Sequence, residues 1–244
     1  MKKFLQVCIL AFAIIPFIDV DAASITVHNQ TELKEAIGNS DISEIVLAND
    51  IETTEKINIL RPLKINGNGY TMKYVGTFGS AGSSDYTVWG GIYVLQVYKT
   101  EVTLKNIRLT GGNGGLLING GKVTVEGTLD VSGNGFGGIE LGQGAAVESV
   151  AHLVLASDGK IVNTTETEDR PTLWVPTDST GSILEINGKQ MTLEADKEIT
   201  LADLDSLINP PENPSTGDLL PLYGVITLIG STILLLTKKW NYEN

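Results

Sequence analysis

The 244-residue sequence holds one cysteine, two histidines and three arginines. Cys8 lies near the start of the first apolar run, so the rest of the chain has no thiol and forms no disulfide or thiolate metal site. Basic charge is also scarce. Seventeen Lys and Arg face 29 Asp and Glu, for a net charge of −12. Nucleic acid is excluded as a partner, because binding phosphates needs a basic stripe. His28 and His152 lie far apart, with no Ser-His-Asp order and no zinc-ligand spacing around them. The reading therefore expects no catalytic residue, no metal and no cofactor. Proline occurs 8 times, but glycine 27 times, above the usual share of about 7%. Many glycines with few prolines point to tight turns in a repetitive β fold.

The two ends carry targeting signals. Met1-Lys2-Lys3 opens an apolar run from Phe4 to Ile18, followed by Val20-Asp21-Ala22. A basic start, a short apolar middle and a small-residue exit read as a secretory signal peptide over 1–22. Cleavage after Ala22 places small or apolar residues at −3 and −1, whereas cleavage after Ala23 would place Asp21 at −3. At the other end, Leu219 to Thr237 gives 19 residues without a charge. As a helix this is about 28 Å, close to a bilayer core. Lys238 and Lys239 follow at once, so 238–244 is expected to be a basic cytoplasmic tail.

Just before that run stands Asn213-Pro214-Ser215-Thr216-Gly217. Motif, apolar span and basic tail together resemble the cell-wall sorting signal of Gram-positive surface proteins. Asn213 stands where the common signal has leucine, and the motif is similar to an Asn-Pro-x-Thr-Gly variant. The resemblance implies a sortase partner that cuts between Thr216 and Gly217. Its cysteine would attack the Thr216 carbonyl, and a cell-wall amine would resolve the thioester, joining Thr216 to peptidoglycan. The chain would cross the membrane only until it is sorted. The sortase class stays open, because Asn213 departs from the common form.

Between the ends, residues 23–208 read as one domain and 209–218 as a short linker with the motif. Thr31 is the expected N-cap of a helix that uses Leu33, Ala36 and Ile37, with Gly38 as its stop. Short β-branched segments follow, each closed within a few residues by Gly, Asn or Asp. Two of them repeat. Val102 to Gly114 matches Val123 to Gly135 at an offset of 21, with a one-residue slip inside. A weaker third pass over Val147 to Gly159 suggests an offset near 24. Such a period marks stacked β coils, seven or eight of them here, with inward Val, Ile and Leu forming continuous stacks. At the slipped offset Arg108 should stand over Asp130. Leu201 to Ile208, at helical spacing, is expected to close the far end. A β-sandwich is the main alternative.

Ile25-Thr26-Val27, the helix, Pro62 to Gly69 and the later coils resemble the right-handed, pectate-lyase-like parallel β-helix, in its adhesive branch on bacterial surfaces. The resemblance implies an all-β domain with a short N-terminal capping helix, followed here by the transmembrane helix at 219–237. It also implies a non-enzymatic adhesin that binds a glycan or a protein at the cell surface. The alternative is a small polysaccharide lyase or glycoside hydrolase, for which Asp130 and Asp158 are the conceivable carboxylate pair. Seven of the nine aromatic residues between 23 and 216 fall within 70–98. Beside a Gly- and Ser-rich stretch, Tyr86, Trp89 and Tyr93 are the candidate ligand contacts, with packing of the rings onto the domain as the competing reading.

Overall fold

The computed structural model describes residues 23–77, 92–135, 137–142, 149–167 and 170–209. The chain order is β1 (Ala23–Val27), α1 (Gln30–Gly38), β2 (Ile42–Leu47), β3 (Ile51–Thr53), β4 (Ile57–Ile59), β5 (Leu63–Asn66), β6 (Thr71–Tyr74) and β7 (Tyr93–Tyr98). It continues with β8 (Glu101–Thr110), β9 (Gly114–Asn119), β10 (Lys122–Asp130), β11 (Gly137–Gly142), β12 (His152–Leu155), β13 (Lys160–Val162) and β14 (Leu173–Val175). β15 (Ile183–Ile186), β16 (Lys189–Thr192), β17 (Lys197–Ile199) and α2 (Leu201–Ile208) complete it. The fold is mostly β, with two short helices and strands paired largely in parallel.

Two sheets form. The first runs β1-β2-β5-β8-β10-β12-β15-β16, with β3, β6 and β13 paired beside it; the second runs β17-β14-β11-β9-β7-β4. The chain visits the first sheet, crosses to the second, and returns one strand further along. Among the described residues five such circuits put a strand in both sheets, and the first sheet stacks seven strands in parallel, β1-β2-β5-β8-β10-β12-β15. The parallel pairing rules out the β-sandwich alternative, whose sheets pair antiparallel.

Register explains the core. Ile25, Ile45, Ile65, Leu104, Val125, Leu155 and Ile186 stand opposite one another across seven strands. All are buried except Ile25 on the outermost strand. Ile57, Leu95, Leu116, Ile139, Leu173 and Ile199 do the same in the second sheet. Each side chain buried in this way contributes roughly 1.5–3 kcal/mol.

Val102 pairs with Val123 and Ile107 with Leu129, so the spacing steps from 21 to 22 along β8 and β10. The step is built from Asn106 and Gly127, both with positive φ. The Asn106 Oδ1 accepts from the Thr128 N–H at 3.0 Å, and a Cβ at Gly127 would collide with that oxygen. Beyond the step Arg108 does stand opposite Asp130, with Nε 3.6 Å from Oδ2. The third pass differs from expectation. Val123 pairs with Leu153, a spacing of 30, because nine residues stand between β11 and β12 where two stand between β9 and β10.

The ends are closed by side chains the sequence reading did not single out. The N-cap of α1 is Asn29, not Thr31. Asn29 Oδ1 accepts from the Glu32 N–H at 3.0 Å, while Glu32 accepts from the His28 N–H at 2.8 Å. The Arg61 guanidinium donates to the carbonyls of Ala36, Ile37, Asn39 and Ile42 at 2.6–2.9 Å, clamping the C-terminal turn of α1. At the other end pairing reverses: β16 runs antiparallel to β15, and β17 antiparallel to β14. The helix expected at 201–208 is α2, anchored by buried Leu204 and by Glu166, which accepts from the Leu201 N–H at 2.9 Å. Among the described residues no helix is long and apolar enough to cross a membrane. The expected transmembrane helix at 219–237 lies outside the described residues.

Candidate functional site

In β2, β5, β8 and β10, buried residues alternate with partly exposed ones, as expected for a sheet wet on one side. The second sheet breaks that rule. All six residues of β9 are buried, as are five of six in both β7 and β11. Its outward positions carry Asn58, Gln96, Leu117, Glu140, Trp174 and Glu198 in one register column. A carboxylate in the middle of such a column needs a partner, because burying its charge is costly.

Glu140 finds that partner in Tyr93, whose hydroxyl donates to Oε2 in a short hydrogen bond. Two glycines make the contact possible. Tyr93, Gly114 and Gly137 are register neighbours, and the Tyr93 ring lies across Gly114, where any Cβ would collide with it. At Gly137, one strand further, an added Cβ would crowd the Pro171 carbonyl at 3.3 Å. A half-open cleft of about 260 Å³ results, floored by these strands and walled by Pro171 and Trp174. Asp196 and Glu198 complete its rim, and among the described residues no lysine, arginine or histidine lines it.

Burial lifts the Glu140 carboxyl to about 7; the Tyr93 bond opposes this rise and the charge of Asp178 adds to it. The Tyr93 phenol is pushed well above its ordinary range, first by burial and then by the Glu140 charge. A carboxyl that exchanges its proton near neutral pH, beside an aromatic ring, can accept hydrogen bonds, hold a cation, or deliver a proton.

The expected site residues fall as follows. Tyr93 is fully buried and lines this cleft. Tyr86 and Trp89, the sorting motif Asn213 to Gly217, and Ala22 lie outside the described residues, while Ala23 begins β1. Asp130 and Asp158 are not register partners: Asp130 faces Val162 and is engaged by Arg108, and Asp158 sits in the turn between β12 and β13. His28 contacts Glu32 at 3.0 Å, and His152 contacts Glu185 at 3.2 Å. Among the described residues no group of three or more His, Cys, Asp or Glu is placed to hold a metal.

Sequence reasoning did not single out Glu140, and it missed Trp174, Asp196 and Glu198 as its neighbours. Two signals were present. A lone charge interrupts the apolar segment Ile139-Glu140-Leu141, and the glycine pairs Gly114-Gly115 and Gly137-Gly138 repeat at register spacing.

Parallel strands stacked in two sheets, with a cleft on one outer face, define the class of protein. Within that class, residues 24–141 match the family model described as a "putative pectate lyase-like adhesive domain", just under half of the chain. The match ends inside β11, so it includes Tyr93 and Glu140 while Pro171, Trp174, Asp196 and Glu198 lie beyond it. No curated protein and no solved structure matches the chain.

Proposed function

We propose that this is a secreted surface protein of adhesin type, which binds a glycan or protein ligand without chemical conversion. The observation that carries the reading is the match of 24–141 to an adhesive domain. The five circuits support a right-handed parallel β-helix as its frame. The cleft supports a binding role, since it joins an aromatic wall to a few convergent polar groups. In this reading residues 1–22 direct export. A sortase then cuts after Thr216 and joins the chain to peptidoglycan of a Gram-positive wall, as the motif from Asn213 to Gly217 followed by an apolar run and two lysines suggests.

Two measurements test it. The full-length protein, applied to glycan and protein arrays, should retain ligands and should lose them when Trp89 and Tyr86, or Trp174, are replaced by alanine; a blank array refutes adhesion. Mass spectrometry of muramidase-released wall should find a peptide ending at Thr216 with a wall amine attached. A chain intact past Gly217 in the membrane fraction refutes the anchor.

A second reading, a glycoside hydrolase, is favoured by one observation: a buried carboxyl that holds its proton up to about 7 suits a general acid. It predicts hydrolysis of a glycan that Glu140→Gln abolishes and Asp130→Asn leaves intact.

A further inference from the structure

The adhesive reading leaves the ligand's chemistry open, and the cleft narrows it. We infer that the cleft binds a single amino-sugar ring, its protonated amine set among the Glu140, Asp196 and Glu198 carboxylates and its apolar face against Trp174. The inference rests on the binding reading above and names the ligand class.

Charge is the first argument. Three acids line the cleft, among the described residues no basic side chain does, and the Asp178 charge acts on Glu140. A cation complements such a lining, whereas a neutral sugar leaves its charge unmatched. Register is the second. Trp174 pairs with Glu140 on one side and with Glu198 on the other. Neighbouring strands lie about 4.8 Å apart. An amine beside the indole therefore meets an acid within one strand spacing in either direction, and the ring itself attracts cations. Size is the third. At about 260 Å³ the space lies just below the roughly 300–1,000 Å³ of pockets for drug-sized ligands. It suits one ring, and a flat indole matches the apolar face of a sugar better than the narrow stem of a lysine.

The last argument is burial. Glu140 lines the cleft while only 4% exposed, and a carboxylate held so far from water is stabilised by a positive charge beside it.

Calorimetry on the full-length protein in mild detergent tests this with three probes: the glucosamine trisaccharide, its fully N-acetylated form, and trilysine. The free-amine sugar should bind, and the acetylated sugar and trilysine should each bind at least about tenfold more weakly, the loss expected for one charged hydrogen-bonded contact. Asp196 and Glu198 are exposed. The double variant D196N/E198Q should therefore keep its near-ultraviolet circular dichroism while losing about tenfold in affinity for the amine. Equal binding of the two sugars, tighter binding of trilysine, or no effect of the double variant would overturn the inference. If none of the probes binds while the arrays still report a ligand, the amino-sugar class is wrong and the adhesive reading stands. If the arrays are blank as well, both fall.

Discussion

The outer faces of the two sheets solve the same problem in different ways. On the first sheet, Lys64 and Lys105 lie 3.1 and 4.0 Å from Glu126, and Arg108 lies 3.6 Å from Asp130, all partly exposed to water. Water screens these pairs, so each contributes little and each is replaceable. On the second sheet, Gln96, Leu117, Asn119 and Glu140 are shielded at equivalent outward positions. There Glu140 depends on one particular neighbour, Tyr93, the polar atoms of Gln96 have none, and the Tyr93 ring lies where Gly114 leaves room for it. One face carries charges that water screens; the other holds groups whose properties are tuned by burial. Tuned chemistry arises where a repeating fold stops treating its outer face as surface.

The largest test of this contrast is pH. The Glu140 carboxyl titrates near 4.5 when unfolded and near 7 in the folded protein. Between those values the folded state holds more protons, so stability should fall as pH rises from about 4.5 to about 7, with the loss complete above 7. The expected loss is on the order of 3 kcal/mol. Urea denaturation at pH 5 and pH 8 measures it, and Glu140→Gln should flatten the difference.

Next comes Gly114→Ala, which drives a Cβ into the Tyr93 ring. It should cost about 1–3 kcal/mol by overpacking. It should also displace the Tyr93 hydroxyl from Glu140, which ultraviolet difference spectra of the tyrosine would report.

Gln96→Met is expected to change stability in the opposite direction. Both polar atoms of the Gln96 side chain are buried without a hydrogen-bond partner. Removing them while keeping the volume should stabilise the fold by about 1–2 kcal/mol in thermal denaturation. The smallest effect belongs to the first sheet. Breaking the Arg108–Asp130 pair with Arg108→Ala should cost less than about 1 kcal/mol. A larger loss there would erase the distinction between the faces.

Much of the frame was legible in the sequence because a stack repeats its own pattern. Val102 to Gly114 and Val123 to Gly135 display the spacing, the slip and the Arg108–Asp130 pairing before any coordinate is seen. The turn glycines were equally readable: Gly69, Gly111 and Gly133 all have φ near +80° or above. The later circuits were harder, since the nine residues between β11 and β12 stretch the spacing to 30 and hide the partner of Val123. Asn29 was missed because Thr31 satisfies the same cap preference two residues on. The cleft was missed for a deeper reason. Glu140, Trp174 and Glu198 are separated by 34 and 24 residues, and only the register brings them together. The reversal at β17 that brings Glu198 beside Trp174 has no counterpart in the repeat.

The latch between Glu166 and the first turn of α2 has a mechanical consequence. Hydrogen bonds between rungs point along the stack, so rungs parted along that direction give way one at a time instead of shearing together. α2 and the short strand β17 stand first in line. A pull on the chain beyond α2 would therefore lift Glu198 and Asp196 away before the deeper rungs yield, opening the rim of the cleft while most of the domain stayed wound.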